Sequence, residues 1–393
     1  MNIYWFNALL LSSCLYLSAC STSVREPPPL MLANHSTFNR IMVETQQDIF
    51  KLNKNITTEL DTHLTSKRNA QHLANSILSF LLKNGDNSLT YQSGATLSAS
   101  QTYQNLNANC LSLSILAYSL ADYLGVKARF QKVHIPEYWA MTKGVNLLTG
   151  HINLSIENTS IHNLPATMIY QRDKHLTIDF DPNIRKQHFK TSPISKAFVT
   201  AMFYNNKGAL ALVNKNYNLA YSYFSAAVEA APLYSAGWGN LGIVFRQLNY
   251  LKEAEQAYNY ALLLDKNNHT AMGNLAVLYT LSNRAQKGQR ILKQLNEKRQ
   301  ANPYYHISLG NTELALKNYM LALKHFKTAY KLDAHLHESY FGLARAYYLT
   351  GNITLAKKYM QLAGVNAEFN HDKTRYKNKL NVLKNITASL SRE

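Results

Sequence analysis

The sequence is poor in cysteine: its 393 residues contain three, at positions 14, 20 and 110. Cys14 lies within an apolar leader and Cys20 directly follows it, so Cys110 is the one thiol expected to persist in the processed chain. A single thiol excludes an internal disulfide. An unpaired cysteine of this kind is either a small buried apolar side chain or a nucleophile.

Other chemical motifs are also missing from the sequence. No group of cysteines and histidines has the spacing of a zinc site, and no glycine-rich phosphate loop is present. Basic residues are not interleaved with aromatic ones as in nucleic-acid-binding motifs. The apolar run at residues 3–17 is shorter than the roughly 20 residues that span a bilayer. The sequence therefore predicts no metal, no cofactor and no nucleic-acid partner.

Positive charge predominates, with 41 basic and 23 acidic side chains and a formal net charge of +18. Residues 1–200 contain 17 basic and 12 acidic side chains, residues 201–370 contain 18 and 9, and residues 371–393 contain 6 and 2. The excess therefore lies mainly in the second half. It predicts an anionic partner there, either a membrane surface, a polymer or an acidic protein.

The leader ends in Leu-Ser-Ala-Cys20, which resembles a bacterial lipobox. The resemblance implies that residues 1–19 are a signal peptide and that Cys20 carries a lipid. Ser21, where inner-membrane lipoproteins have Asp, implies an envelope protein at the outer membrane, facing the periplasm. Because no Lys or Arg precedes Cys20, a cleaved leader without lipid and an uncleaved anchor stay open. Residues 20–35 are predicted to be a tether.

Small residues recur at intervals of 34 in the second half of the chain. The processed chain of about 370 residues is long enough for two domains, and this interval marks the second one. The recurring glycines and alanines are Gly208, Gly242, Ala276, Gly310 and Ala344. They divide the region into five units, at 201–234, 235–268, 269–302, 303–336 and 337–370.

The spacing resembles the tetratricopeptide repeat, and the second unit, with Trp238 and Tyr258, matches it best. The third unit is the poorest, because Gly288 and Leu295 stand where alanines are usual. The resemblance implies an all-α superhelix of paired helices whose groove binds a protein or peptide partner. Residues 371–393 are predicted to form a capping helix and tail.

Cys110 opens a predicted helix that ends at Gly125. One face of this helix is apolar. Unpaired N–H groups and the helix dipole favour a thiolate at such a helix start. A predicted strand over residues 126–133 follows, and His151 opens another.

This region resembles the transglutaminase-like branch of the papain-like fold, an α+β domain placed here at residues 36–198. The resemblance implies that Cys110 is the nucleophile, that His151 moves the proton and that an aspartate orients the imidazole. His134 is the rival of His151. Asp179 is preferred as the aspartate because it lies deeper in a predicted strand, and Asp181 on the same face is the alternative.

An oxyanion at the acyl carbon is expected to meet the backbone N–H of Cys110. The side-chain amide of Gln104 or of Asn109 is the second predicted donor.

The leading hypothesis is a lipid-anchored thiol enzyme that hydrolyses or transfers an amide bond, with repeats that hold a protein partner. Hydrolysis is preferred to transfer because water is always available in the periplasm. The alternative is a non-catalytic assembly scaffold that acts through its repeats. Convergence of Cys110, His151 and an aspartate in space is the feature that distinguishes the two.

Overall fold

The computed structural model describes residues 28–63, 90–91, 95–105, 107–142, 145–157, 169–172, 175–180, 189–367 and 370–390. A small α/β region precedes a long array of antiparallel helices. Among the helices within these ranges, none is both long and apolar enough to cross a membrane.

The first region has four helices and seven strands among its described residues. The helices are α1 (Gln46–Phe50), α2 (Lys54–His63), α3 (Ala99–Asn105) and α4 (Cys110–Tyr123). The strands are β1 (Thr90–Tyr91), β2 (Asn107–Ala108), β3 (Ala128–Thr142), β4 (Val145–Glu157), β5 (Ile169–Arg172), β6 (His175–Ile178) and β7 (Thr191–Ile194). β1 and β2 form a parallel pair, and the other five form an antiparallel sheet in the order β5-β6-β4-β3-β7.

The central strand β4 lies against α4. Its apolar residues Ile152, Leu154 and Ile156 alternate along the strand and are almost fully buried. They pack with the apolar residues of α4 into one hydrophobic core. This core fixes the start of α4 beside the middle of β4, where the site described below is found.

Ten helices form the five repeats, two in each. They are α5 (Lys196–Val213), α6 (Tyr217–Ala230), α7 (Ser235–Gln247), α8 (Leu251–Leu264), α9 (His269–Leu281), α10 (Ala285–Arg299), α11 (Pro303–Ala315), α12 (Tyr319–Leu332), α13 (His337–Leu349) and α14 (Ile353–Asn366). A final helix, α15 (Asn370–Leu390), packs against α14 and buries Tyr376 and Leu383.

The turn inside each repeat has the same backbone. One residue in each turn adopts the left-handed conformation, with φ between +57° and +79°. Non-glycine residues rarely adopt it, yet four of the five turns use one. These residues are 34 apart: Lys215, Asn249, Asn283, Lys317 and Gly351. The repeat in the sequence is therefore also a repeat in the backbone.

The recurring small residues allow the two helices of a repeat to meet. A Cβ atom added at Gly242 on α7 would lie 2.6 Å from the ring of Tyr258 on α8. Gly208 and Gly310 are equally close to the rings of Phe224 and Phe326, respectively. The aromatic ring of the second helix therefore occupies the space of a missing side chain on the first.

The first repeat is not separate from the α/β region. α5 begins at Lys196, before the predicted repeat boundary at residue 201. Val199, Phe203 and Tyr223 belong to the hydrophobic core that also contains the apolar residues of α4 and β4. A cut at residue 200 would therefore divide one hydrophobic core.

The end of the predicted tether is packed structure. Residues Leu30–Asn34 form a 3-10 helix, and Leu32 is buried among residues of the first two repeats. Phe38 stacks on Tyr221, with 3.8 Å between the ring centroids. The last residues of the predicted tether at 20–35 are therefore packed on the array, because the apolar side chains of Leu32 and Ala33 are buried there.

The array is interrupted between its third and fourth repeats. One hydrophobic cluster includes Leu275 of α9, and the next starts with Ile307 of α11. Helices α10 and α11 make little contact, whereas strand β3 packs against α11. We call this boundary the joint. It follows the repeat in which Gly288 and Leu295 replace the usual alanines.

Candidate functional site

Asn109 fixes the start of α4. It is the N-cap residue, and its side-chain oxygen accepts a hydrogen bond of 2.9 Å from the backbone N–H of Ser112. Its side-chain nitrogen donates to Thr96 Oγ at 2.8 Å. Through these bonds the Asn109 side chain fixes the first turn of α4, which contains Cys110. Gln104, the other residue predicted for the oxyanion, is exposed on α3.

His151 and Asp179 form a buried pair at the middle of the sheet. His151 Nε2 lies 2.8 Å from Asp179 Oδ1, and the two residues are 3 % and 1 % exposed. Asn153 lies on the same face of β4 as His151, two residues along. Its side-chain nitrogen donates to Asp179 Oδ2 at 3.2 Å. Both carboxylate oxygens of Asp179 are therefore held by β4.

Cys110 is buried beside His151. Its Sγ atom lies 3.9 Å from the carbonyl oxygen of Gly150. Burial by itself lowers the pKa of His151, but hydrogen bonds with Asp179 and Cys110 and the charges of both groups outweigh it. Together they raise the pKa of His151 to about 10. Because Asp179 takes Nε2, Nδ1 is the ring nitrogen left for the thiol.

The structure thus brings together three of the residues chosen from the sequence: Cys110, His151 and Asp179. The rival His134 lies beside β7, where its Nε2 is 3.0 Å from Ser192 Oγ. Asp181 and Cys20 lie outside the described residues. Sequence reasoning missed Asn153, although its spacing of two from His151 is the signal that would have found it.

The arrangement has the order of a nucleophile, a base and an orienting acid. An imidazole held between a carboxylate and a thiol can accept the thiol proton while the carboxylate keeps the ring in place. No group of three or more possible metal ligands occurs among the described residues.

The repeat array presents a second candidate surface on α10. Only Gly288 and Leu295 of this helix are buried. Lys287, Arg290, Lys293 and Lys298 are exposed along it. A helix with so few buried residues is held mainly by its partner α9, and it leaves a basic face towards solvent.

The comparisons with known proteins find tetratricopeptide repeats in this chain. A family model of the tetratricopeptide repeat matches residues 235–268 and 337–363. Superkiller protein 3 of Schizosaccharomyces pombe is 25 % identical over 290 residues, which are 65 % of this chain and 20 % of that protein. The chain therefore spans about a fifth of the length of this curated relative.

Two similar solved structures are those of pilF and YrrB. Pseudomonas aeruginosa pilF is 18 % identical, with 50 % of this chain and 90 % of that chain covered and a TM-score of 0.29. YrrB, described as a TPR protein with an unusual peptide-binding site, is 16 % identical, with 45 % and 92 % covered and a TM-score of 0.25. The protein contains tetratricopeptide repeats, a class of repeat that typically binds protein or peptide partners.

Proposed function

We propose that the protein is a scaffold that binds an acidic protein partner through its tetratricopeptide repeats. The observation that carries this proposal is the exposed basic face of α10. The repeats have 18 basic and 9 acidic side chains, so an anionic surface is attracted to them as a whole. In this proposal the repeats alone bind the partner, and binding does not require Cys110.

Capture of the partner from envelope extract tests this proposal, with the whole chain as bait. Replacement of Arg290 and Lys293 by glutamine is expected to reduce recovery strongly, and Cys110→Ala is expected to leave it unchanged. Recovery should also fall as salt rises, because exposed charges are screened over about 8 Å at physiological ionic strength. The matched control replaces Lys357 and Lys358, which removes the same charge from another repeat. Recovery of no specific protein at low salt would sink the proposal.

A second function, thiol-dependent acyl transfer, is supported by the grouping of Cys110, His151 and Asp179 and by the transglutaminase-like pattern of the sequence. In this reaction Cys110 attacks the acyl carbon of an amide, and the amine leaves with a proton from His151. Water or a second amine then attacks the thioester and releases Cys110. The Cys110 backbone N–H meets the oxyanion, since Asn109 is bonded to Thr96 and Ser112.

Alkylation of Cys110 by iodoacetamide tests the second function. The raised pKa of His151 keeps the imidazole positively charged beside the sulfur at neutral pH. Alkylation at neutral pH is therefore expected to be at least about tenfold slower in His151→Gln than in wild type. Cys110→Ala should abolish amidase or transferase activity without unfolding the chain. An equal rate in His151→Gln and wild type, or no reaction in either, counts against the enzyme.

Membrane attachment through a lipid on Cys20, in the envelope and at the outer membrane, is the third part of the proposal. It is supported by the lipobox-like sequence alone. Cys20→Ala is expected to move the protein out of the membrane fraction. A leader that keeps the variant in that fraction would contradict it.

A further inference from the structure

Strands β3 and β4 form a long hairpin with an irregular middle. Val133 pairs with His151, and the next pair along the ladder is Tyr138 with Thr149. Four residues of β3 therefore lie opposite Gly150 alone, which makes a large bulge. The carbonyl of Gly150 is the group that contacts Cys110 Sγ. Glu137 is the last of the four bulged residues of β3.

Glu137 lies in a socket made entirely by the repeats. Arg299 Nε and Nη2 donate to its two carboxylate oxygens at 2.8 and 3.0 Å, and His269 Nδ1 lies 2.8 Å from the first of them. Asn302 Nδ2 donates to the backbone carbonyl of Glu137 at 2.8 Å. The three residues close the joint from both sides: His269 starts α9, Arg299 ends α10, and Asn302 caps α11.

The socket is well suited to a glutamate within an extended segment. A bidentate arginine pair fixes the plane of a carboxylate, and the side chains of Glu137 and Arg299 are only 16 % and 15 % exposed. Burial raises the pKa of Glu137, but the bonds from His269 and Arg299 outweigh it and lower the pKa. Asn302 donates to the backbone carbonyl of Glu137, so the socket binds both the acidic side chain and the backbone of the same residue.

We propose that the socket of His269, Arg299 and Asn302 is a binding site for a glutamate-containing segment of a partner protein, and that Glu137 fills it as an internal occupant. This rests on the proposed binding of an acidic partner by the repeats and goes beyond it by naming the contact. A partner segment binds by displacing Glu137. The bulge is then released, and with it the strand contact that holds Gly150 against Cys110.

Displacement of Glu137 from the socket affects Cys110 through the hairpin. Glu137 and Gly150 lie at the same point of the hairpin on opposite strands, and His151 follows Gly150 directly. Loss of the socket contacts frees this segment of β3 from the joint. Binding of a partner in the socket and the contact of Gly150 with Cys110 are therefore linked. Each must weaken the other.

A peptide copying residues 133–140 of the chain is the probe, and the same peptide with glutamine for its glutamate is the control. In wild-type protein the tethered Glu137 competes at an effective concentration in the millimolar range, so the probe binds weakly. Glu137→Gln weakens the internal occupant, because a neutral amide cannot form the charge-assisted bidentate pair with Arg299. We expect this full-length variant to bind the glutamate peptide at least about tenfold more tightly than wild type does, and to bind the glutamine peptide no better.

Two further variants identify the site. Adding Arg299→Gln to Glu137→Gln should abolish the gain. Adding Arg284→Gln should leave it intact, because Arg284 makes the same bidentate pair with Glu255, at 2.9 and 2.7 Å, away from the hairpin. Circular dichroism checks that each variant is folded. Equal binding of the glutamate peptide by wild type and Glu137→Gln, or equal binding of the two peptides by the variant, overturns the proposal.

The link to the thiol has its own readout. Cys110 in Glu137→Gln should be alkylated by iodoacetamide about tenfold faster than in wild type. The contacts between residue 137 and the socket are weaker in the variant, so the hairpin separates from Cys110 more often. An unchanged rate refutes the link. Capture of a partner by the array is a separate measurement, so failure of the socket leaves the scaffold proposal standing.

Discussion

Replacement of Trp238 by alanine is expected to lower the free energy of unfolding by about 3–5 kcal/mol. Trp238 is fully buried in the second repeat, and its Nε1 donates to the carbonyl of Pro232 at 2.8 Å. Its ring also lies edge-on to Tyr260 of α8. Truncation leaves a large cavity between two helices and an acceptor without its donor. Urea unfolding followed by circular dichroism measures the loss.

Leu263→Ala is the matched control for this substitution. Leu263 lies on α8 of the same repeat but is 50 % exposed, so its loss should change stability by no more than about 0.5 kcal/mol. Similar effects of the two substitutions would mean that the repeats do not pack as described.

Replacement of Asp179 by alanine is expected to cost about 3–5 kcal/mol at neutral pH. The His151 and Asp179 side chains are 2 % and 1 % exposed, and Asn153 also depends on the carboxylate. Without Asp179, two buried donors lose their acceptor, and one of the two groups that raise the pKa of His151 is gone. The measurement is again urea unfolding, and it applies whether or not the site has a catalytic role.

Glu229→Ala provides the comparison for Asp179→Ala. Glu229 accepts two hydrogen bonds from Arg40, at 2.8 and 2.7 Å, on the exposed side of the array. Exposed pairs contribute about 0–1 kcal/mol, so this loss should be small. A loss at Asp179 as small as that at Glu229 would contradict the burial of the site.

The repeats were predictable because their signals are local. Each unit needs a small residue where its two helices meet, and the aromatic ring that fills the gap lies 16 residues further on, as with Gly242 and Tyr258. The two residues are near each other in the sequence, and the pair recurs at a fixed interval. The pattern is therefore visible without any knowledge of the fold.

The joint and the packing of residues 30–40 on the array were not predictable, because they depend on contacts between distant residues. Glu137 lies 162 positions from Arg299, and Arg40 lies 189 positions from Glu229. Neither pair has a periodic signal. The weak third repeat, with Gly288 and Leu295, was visible in the sequence, but nothing in it showed that a hairpin packs beside the gap.

The candidate site was predictable in part. The helix-start position singled out Cys110, and the resemblance to the transglutaminase-like pattern singled out His151 and Asp179 on predicted strands. The use of Asn109 as a helix cap bonded to Thr96 could not be foreseen, because its partner comes from a loop outside the helix. The choice between Asp179 and its alternative Asp181 still rests on a prediction, since Asp181 lies outside the described residues.

Site-specific photo-crosslinking in intact cells is the sharpest test of partner binding at the basic face of the third repeat. A photoreactive residue is placed at Lys293 on α10, and in a control chain at Lys127, an exposed lysine between α4 and β3. We expect a discrete protein adduct from position 293 that persists in Cys110→Ala, with none from position 127. Adducts from position 127 alone, or loss of the adduct in Cys110→Ala, would contradict it.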